Sequence, residues 1–263
     1  MGRKLEGRQY GYLTRCNNSR YVRTVDHQQV AGYSVGIVYI ENINYPIMPG
    51  NVVNAWTYNF PVRLKAVPGL TAQQLFDADP SVAAAIVETA KSMVEKEGVR
   101  AICAACGFFG NYHEKVVNAV DVPVALSSLV QIPWIRSLIK PGKKIGILTA
   151  NAASLTPKTF RICGVTDCSN LVIRGMEQTE NFSVVCTNKG YFDNGVAREE
   201  ILAAAQELID EDSDLGAILL ECSDMPPYAA DIQELTQLPV FDFITLIKWL
   251  HNATTQRPYH GWI

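Results

Sequence analysis

Val99-Arg100-Ala101-Ile102-Cys103-Ala104-Ala105-Cys106-Gly107-Phe108-Phe109-Gly110 is the stretch whose reading decides the fold. A run of small and apolar residues stops there at a cysteine and two glycines, as a strand buried on both faces does where it reaches the edge of a parallel sheet. Ligands of open α/β sheets bind beyond the carboxyl ends of such strands, which puts Cys106 at a reactive edge. Residues 111–120 read as a helix, and a thiol near a helix N-terminus is favoured as thiolate by the macrodipole. A free cysteine titrates near roughly 8.5, so a modest downward shift makes it a usable base at neutral pH.

A second stretch copies the first. Gly216-Ala217-Ile218-Leu219-Leu220-Glu221-Cys222-Ser223-Asp224-Met225-Pro226-Pro227 is again an apolar run that ends in cysteine, with Pro227 placed to open a helix through Ala229, Ala230 and Ile232. Cys106 and Cys222 stand 116 residues apart, and so do the prolines that open the next strand candidates, Pro123-Val124-Ala125-Leu126 and Pro239-Val240-Phe241-Asp242. Strand, cysteine, helix and Pro-Val strand repeated at one offset imply an internal duplication, with two similar lobes facing each other across a cleft.

Around these two units the chain alternates strand and helix. Tyr33 to Ile40 (YSVGIVYI) and Lys143 to Ala150 (KKIGILTA) open the two halves and echo each other around Gly36 and Gly146. Phe60 to Val67 reads as a strand, Leu70 to Glu97 as helix interrupted at Asp79-Pro80, and Leu129 to Ile139 as helix before Pro141-Gly142. Later come a helix over Leu155 to Ile162, short strands at Leu171 to Ile173 and Ser183 to Cys186, an amphipathic helix over Ala197 to Asp210, and a closing helix over Ile244 to Asn252. The fold class expected is α/β, two pseudo-symmetric lobes, each a mainly parallel sheet flanked by helices, with the active site between them. The division expected is an N-terminal arm over 1–30, a first lobe over 31–140 carrying Cys106, and a second over 141–263 carrying Cys222, its closing helix free to pack back on the first lobe.

Composition narrows the function. The 263 residues carry a net charge of −3, with 23 Lys and Arg against 26 Asp and Glu, which gives no reason to expect nucleic acid or a membrane surface as partner. No apolar run nears the roughly 20 residues of a membrane span. Seven cysteines form an odd count without the dense spacing of a secreted scaffold, and no apolar leader opens the chain, so a cytoplasmic location is expected.

Cys103 and Cys106 have CxxC spacing, yet residues three apart on a strand point to opposite faces, and a structural zinc site needs a second close pair. Zinc or dithiol chemistry is therefore disfavoured, and Cys103 reads as core. His27, His113, His251 and His260 are scattered, and GFFG has neither the spacing nor the lysine of a phosphate loop. No metal and no cofactor is expected. What remains is Cys106 and Cys222 as the catalytic pair, one removing a proton as thiolate and the other returning one as thiol from the opposite side. Backbone amides at Gly107, Phe108, Ser223 and Asp224 are candidate donors to the charge that develops on a substrate carboxylate. The loop Glu41 to Asn54 lies over the crevice by the carboxyl-end rule, so Asn51, Asn54, Thr57 and Tyr58 are candidate ligand donors, the alternative being that they hold the loop's own backbone.

AACGFFG with Cys106, LLECSDMPPYAADIQ with Cys222 and the Pro-Val strands that follow resemble the aspartate/glutamate racemase superfamily from about Tyr33 onward. The resemblance implies two α/β lobes, each giving one cysteine to an interlobe site, and assigns Cys106 and Cys222 the acid/base positions. Gly107-Phe108 and Ser223-Asp224 replace the Asn-Thr and Thr-His that follow the cysteines of glutamate racemases. The superfamily includes hydantoin racemases, maleate isomerases, arylmalonate decarboxylases and the algal-type dimethylsulfoniopropionate lyases, to which ECSDMPPYAAD and PVFDFITL are similar. The implied function is a cofactor-independent racemase or epimerase of a small carboxylate, with a β-eliminating lyase as alternative and a homo-oligomer expected. A two-lobed solute-binding protein is the non-enzymatic alternative.

Overall fold

The computed structural model describes residues 27–257 and 259–263, so most of the expected arm, residues 1–26, lies outside the described residues. The first sheet holds β1 (Val35–Ile40), β2 (Val62–Val67), β3 (Ile102–Ala105) and β4 (Val124–Ala125) in the order β2-β1-β3-β4. The second holds β5 (Lys144–Thr149), β6 (Leu171–Gly175), β7 (Leu215–Leu220) and β8 (Val240–Phe241) in the order β6-β5-β7-β8. All pairings in both are parallel.

The duplication extends to register. Gly36 stands opposite Ile102 and Ile102 opposite Val124; in the second sheet Gly146 stands opposite Ile218 and Ile218 opposite Val240. Both glycines are matched to a covering helix. A Cβ on Gly36 would come within 2.7 Å of Met93 Cε on α2 (Ala83–Glu97), and one on Gly146 within 3.3 Å of Leu208 Cδ1 on α7 (Asn194–Glu211). The helices therefore lie closer to the sheets than a side chain at either position would allow.

Local chemistry sets the helix ends. Gly98, at φ 65°, closes α2 in the left-handed region, and Asp193 opens α7 by accepting the amides of Gly195 and Val196. Thr156 caps α5 (Pro157–Ile162), whose first residue is proline. Asp242 and Thr245 form a reciprocal capping box that starts α9 (Phe243–Thr254).

The largest apolar cluster runs through both halves, joining Val38, Ile86 and Ile102 of the first to Ile145, Ile147 and Leu219 of the second. A further cluster sets Phe243, Leu246 and Ile247 of α9 against Val35, Ile37 and Cys103, so the last helix covers the first sheet. The two sheets are thus held by a common core.

Two local readings are corrected. Ser183 to Cys186 is not a strand but leads into a short helix, Val184–Thr187, because the Glu200 carboxylate gathers the amides of Glu180, Asn181 and Phe182 and turns the chain there. Residues 111–120 do not form one helix: a 3-10 turn over Gly107–Tyr112 comes first, and α-helix holds only over His113–Val117. No helix among the described residues is long and apolar enough to cross a membrane.

Candidate active site

β3 ends at Ala105, next to Cys106, and β7 ends at Leu220, two residues before Cys222. Cys106 and Cys222 line one narrow cavity of about 30 Å³, together with Gly107, Phe108, Ser223 and Asp224. Each thiol has the same backbone companion: the amide two residues on, Phe108 for Cys106 and Asp224 for Cys222, points at the sulfur and favours its thiolate. Cys106 takes φ 155°, a conformation that residues with a Cβ seldom adopt, which sets its side chain at the turn out of β3.

Cys103 goes elsewhere. It is fully buried in the cluster under α9, whereas Cys106 packs against the large shared core, so the CxxC pair is split across the sheet. Burial pushes its thiol up to about 12. Among the described residues every cysteine is free and no group of three or more His, Cys, Asp or Glu is arranged to hold a metal ion.

The electrostatics of these two thiols reverse the expectation of a lowered pKa. Burial, and then the Glu221 carboxyl, push Cys106 well above the ordinary thiol range; burial, Asp224 and Glu221 do the same to Cys222. One amide per sulfur offsets only part of this, since desolvation penalises the charged form and like charges add to it.

Glu221 and Tyr45 belong to the site and were not among the residues singled out from the sequence. The Glu221 carboxyl is fully buried, takes a hydrogen bond from Thr149 Oγ1 at 2.8 Å, and is pushed up to about 7 by burial. The signal was present in LLEC, a carboxylate at the end of an apolar run, where an unpaired charge is rarely buried. Tyr45 lies in the loop after β1 and donates to Asp224 Oδ2 at 3.4 Å. Asp224 also accepts from Asn51 Nδ2, from Ser223 Oγ at 3.3 Å and from the Cys222 thiol at 3.6 Å. Burial pushes its carboxyl up and these four donors pull it back.

The loop after β1 reaches across to the second lobe. Asn44 donates twice to Asn188, from N to Oδ1 at 2.6 Å and from Nδ2 to O at 3.4 Å, while Asn188 Nδ2 donates to Asn42 O at 3.0 Å and Val52 N to Ser223 O at 3.3 Å. Gly50, at φ 98°, is pressed on Pro227, whose Cα would lie 2.8 Å from an added Cβ. A cavity of this size has room for about one water.

Of the four polar loop residues expected to face a ligand, Asn51 reaches the site through Asp224, and three do not. Asn54 caps the 3-10 turn Ala55–Thr57 by accepting from Trp56 N and donates to Ile47 O. Thr57 Oγ1 links Gly50 N to Asn51 O, and Tyr58 donates to Val52 O. Their polar atoms serve the backbone of a loop that has no sheet or helix to satisfy it.

No family model matches the chain. A curated dimethylsulfoniopropionate lyase of Durusdinium sp. clade D is 30% identical over 234 residues, which span 87% of this chain and 77% of that protein. The chain belongs to the dimethylsulfoniopropionate lyase family. Another relative, dimethylsulfoniopropionate lyase 7 of Emiliania huxleyi, is 29% identical over 238 residues, 87% of this chain and 69% of its own length. Solved racemase and decarboxylase structures share the fold of this lyase-family chain. Allantoin racemase from Pseudomonas fluorescens superposes with a TM-score of 0.60 at 17% identity, covering 87% of this chain and 99% of that one. Unliganded arylmalonate decarboxylase gives 0.55 at 13% identity over 86% and 94% of the two chains, and a glutamate racemase from Bacillus anthracis gives 0.53 at 11% over 85% and 83%. It is a racemase-fold enzyme.

Proposed function

We propose that this enzyme eliminates a sulfide from a small β-sulfonium carboxylate of the dimethylsulfoniopropionate type, without a cofactor. The observation that carries the reading is the charge of the cavity wall. Its ionisable groups among the described residues are the two thiols, Glu221, Asp224 and the Tyr45 phenol, and no described Lys, Arg or His lines it. Such a wall suits a cationic ligand, with Phe76 and Phe108 supplying aromatic surface for a sulfonium.

Cys106 is the base in this scheme. Its thiolate takes the α-proton, the C–H electron pair becomes the new C=C bond, and the C–S pair leaves with the sulfide, giving dimethyl sulfide and acrylate. Asp224, with Tyr45 and the Cys222 thiol bonded to it, faces the sulfonium. Asp224 beside Cys222 keeps that cysteine protonated, because two adjacent anions in a dry cavity repel. The bound cation also lowers the cost of making the Cys106 thiolate, so the base is strongest when the substrate is present. Backbone amides at Gly107 and Ser223 are the donors proposed for the substrate carboxylate.

A second reading, racemisation or epimerisation of a small carboxylate, is favoured by the matched positions of the two cysteines and their amides. The readings separate in heavy water with dimethylsulfoniopropionate and, in parallel, chiral amino acids and hydroxy acids as substrates. Elimination predicts dimethyl sulfide in the headspace with an equal amount of acrylate. Deuterium at the α-carbon with loss of optical activity, and no sulfide, would replace it with the racemase.

A further inference from the structure

We infer that Glu221 is the proton partner of Cys106, its free carboxyl oxygen receiving the thiol proton before catalysis and, having passed that proton to solvent, again after each α-proton is taken. The inference rests on Cys106 being the base of the proposed elimination. Oε2 of Glu221 is held by Thr149 from β5, while Oε1 is buried without a hydrogen-bond partner among the described residues. That oxygen is directed at the Cys106 loop: a Cβ on Gly107, the next residue, would stand 1.7 Å from Oε1. A buried carboxyl oxygen without a partner costs free energy, so its retention asks for a use.

Proton transfer is balanced within the pair. The proton moves from Cys106 Sγ to Oε1, the sulfur keeps the electron pair, and the carboxylate becomes a neutral acid, so the cavity gains no net charge. Among the charged groups that act on the Cys106 thiol, Glu221 is foremost. The titratable groups that feel Glu221 are Cys106 at the end of β3, Cys163 after α5, Cys186, and Cys222 on its own loop. Burial pushes the Glu221 carboxyl up to about 7, which makes its carboxylate a stronger proton acceptor than an exposed one.

The test is the pH dependence of Cys106 alkylation by iodoacetamide, followed by mass spectrometry from pH 5.5 to 9.5 in wild type and Glu221→Gln, beside sulfide release. The glutamine keeps an acceptor for Thr149. A coupled pair predicts two steps in wild type, the lower near neutrality. In the variant a single step is expected, below the wild-type upper one because the carboxylate charge is gone, while turnover falls about 10²-fold. A more reactive thiol with slower turnover is not what a purely structural glutamate would give. Two steps retained in the variant, or turnover within about twofold of wild type, overturns the inference. Should the variant fail to fold, wild type decides alone, and a single step overturns it. Loss of the lower step with no sulfide release by wild type keeps the pair and removes the elimination.

Discussion

Cys106→Ser is expected to reduce kcat/KM for sulfide release by about 10³-fold or more, because a serine hydroxyl is a far weaker acid than a thiol and yields almost no anion in a dry cavity. The fold should be kept, since the swap removes little volume from a half-buried position. Cys222→Ser separates the readings further. As a neutral donor to Asp224, a serine there is a fair substitute, and a loss of only about tenfold is expected. A two-base racemase would lose both variants alike. Headspace gas chromatography over a range of substrate concentrations measures both, with the Cys106 change expected in kcat rather than KM.

Gly107→Ala should be the most damaging single methyl in the molecule. The new Cβ would lie 1.7 Å from Glu221 Oε1, 2.3 Å from its Cδ and 2.7 Å from its backbone oxygen, all in the buried wall between the lobes. The carboxyl has nowhere to swing, being held by Thr149, and the carbonyl belongs to the β7 exit, which Ser128 also grips through Leu220 O at 3.0 Å. Overpacking of this kind costs about 3 kcal/mol or more. Gly36→Ala is the comparison: its nearest obstacle is the flexible end of Met93, at 2.7 Å, and about 1 kcal/mol is expected. Urea midpoints at constant slope measure the difference, and equal losses in the two variants would contradict the packing described.

The duplicated frame was legible because buried parallel strands write themselves as apolar runs. Val99 to Gly110 and Gly216 to Pro227 carry both the sheet centre and its reactive edge, and the Gly36 and Gly146 echo proved to be a true register match. The loop after β1 was legible in position but not in detail. Asn54, Thr57 and Tyr58 are polar for the backbone's sake, and a single sequence does not distinguish an amide that serves a turn from one that serves a ligand. Glu221 was passed over because it reads as part of a strand end, and Tyr45 because its partner Asp224 lies 179 residues away. The thiol electrostatics were misjudged for a related reason: desolvation depends on closure of the site by both lobes, which no local stretch reports.

The cleft account meets its most direct test in a crystal structure of the Cys106→Ser variant bound to dimethylsulfoniopropionate. The sulfonium should rest against Asp224 and Tyr45, with the α-carbon about 3.5 Å from the residue 106 side chain and Cys222 on the far side. A molecule bound outside the space between the two cysteine loops, or one lying with its carboxylate on Asp224, would contradict it.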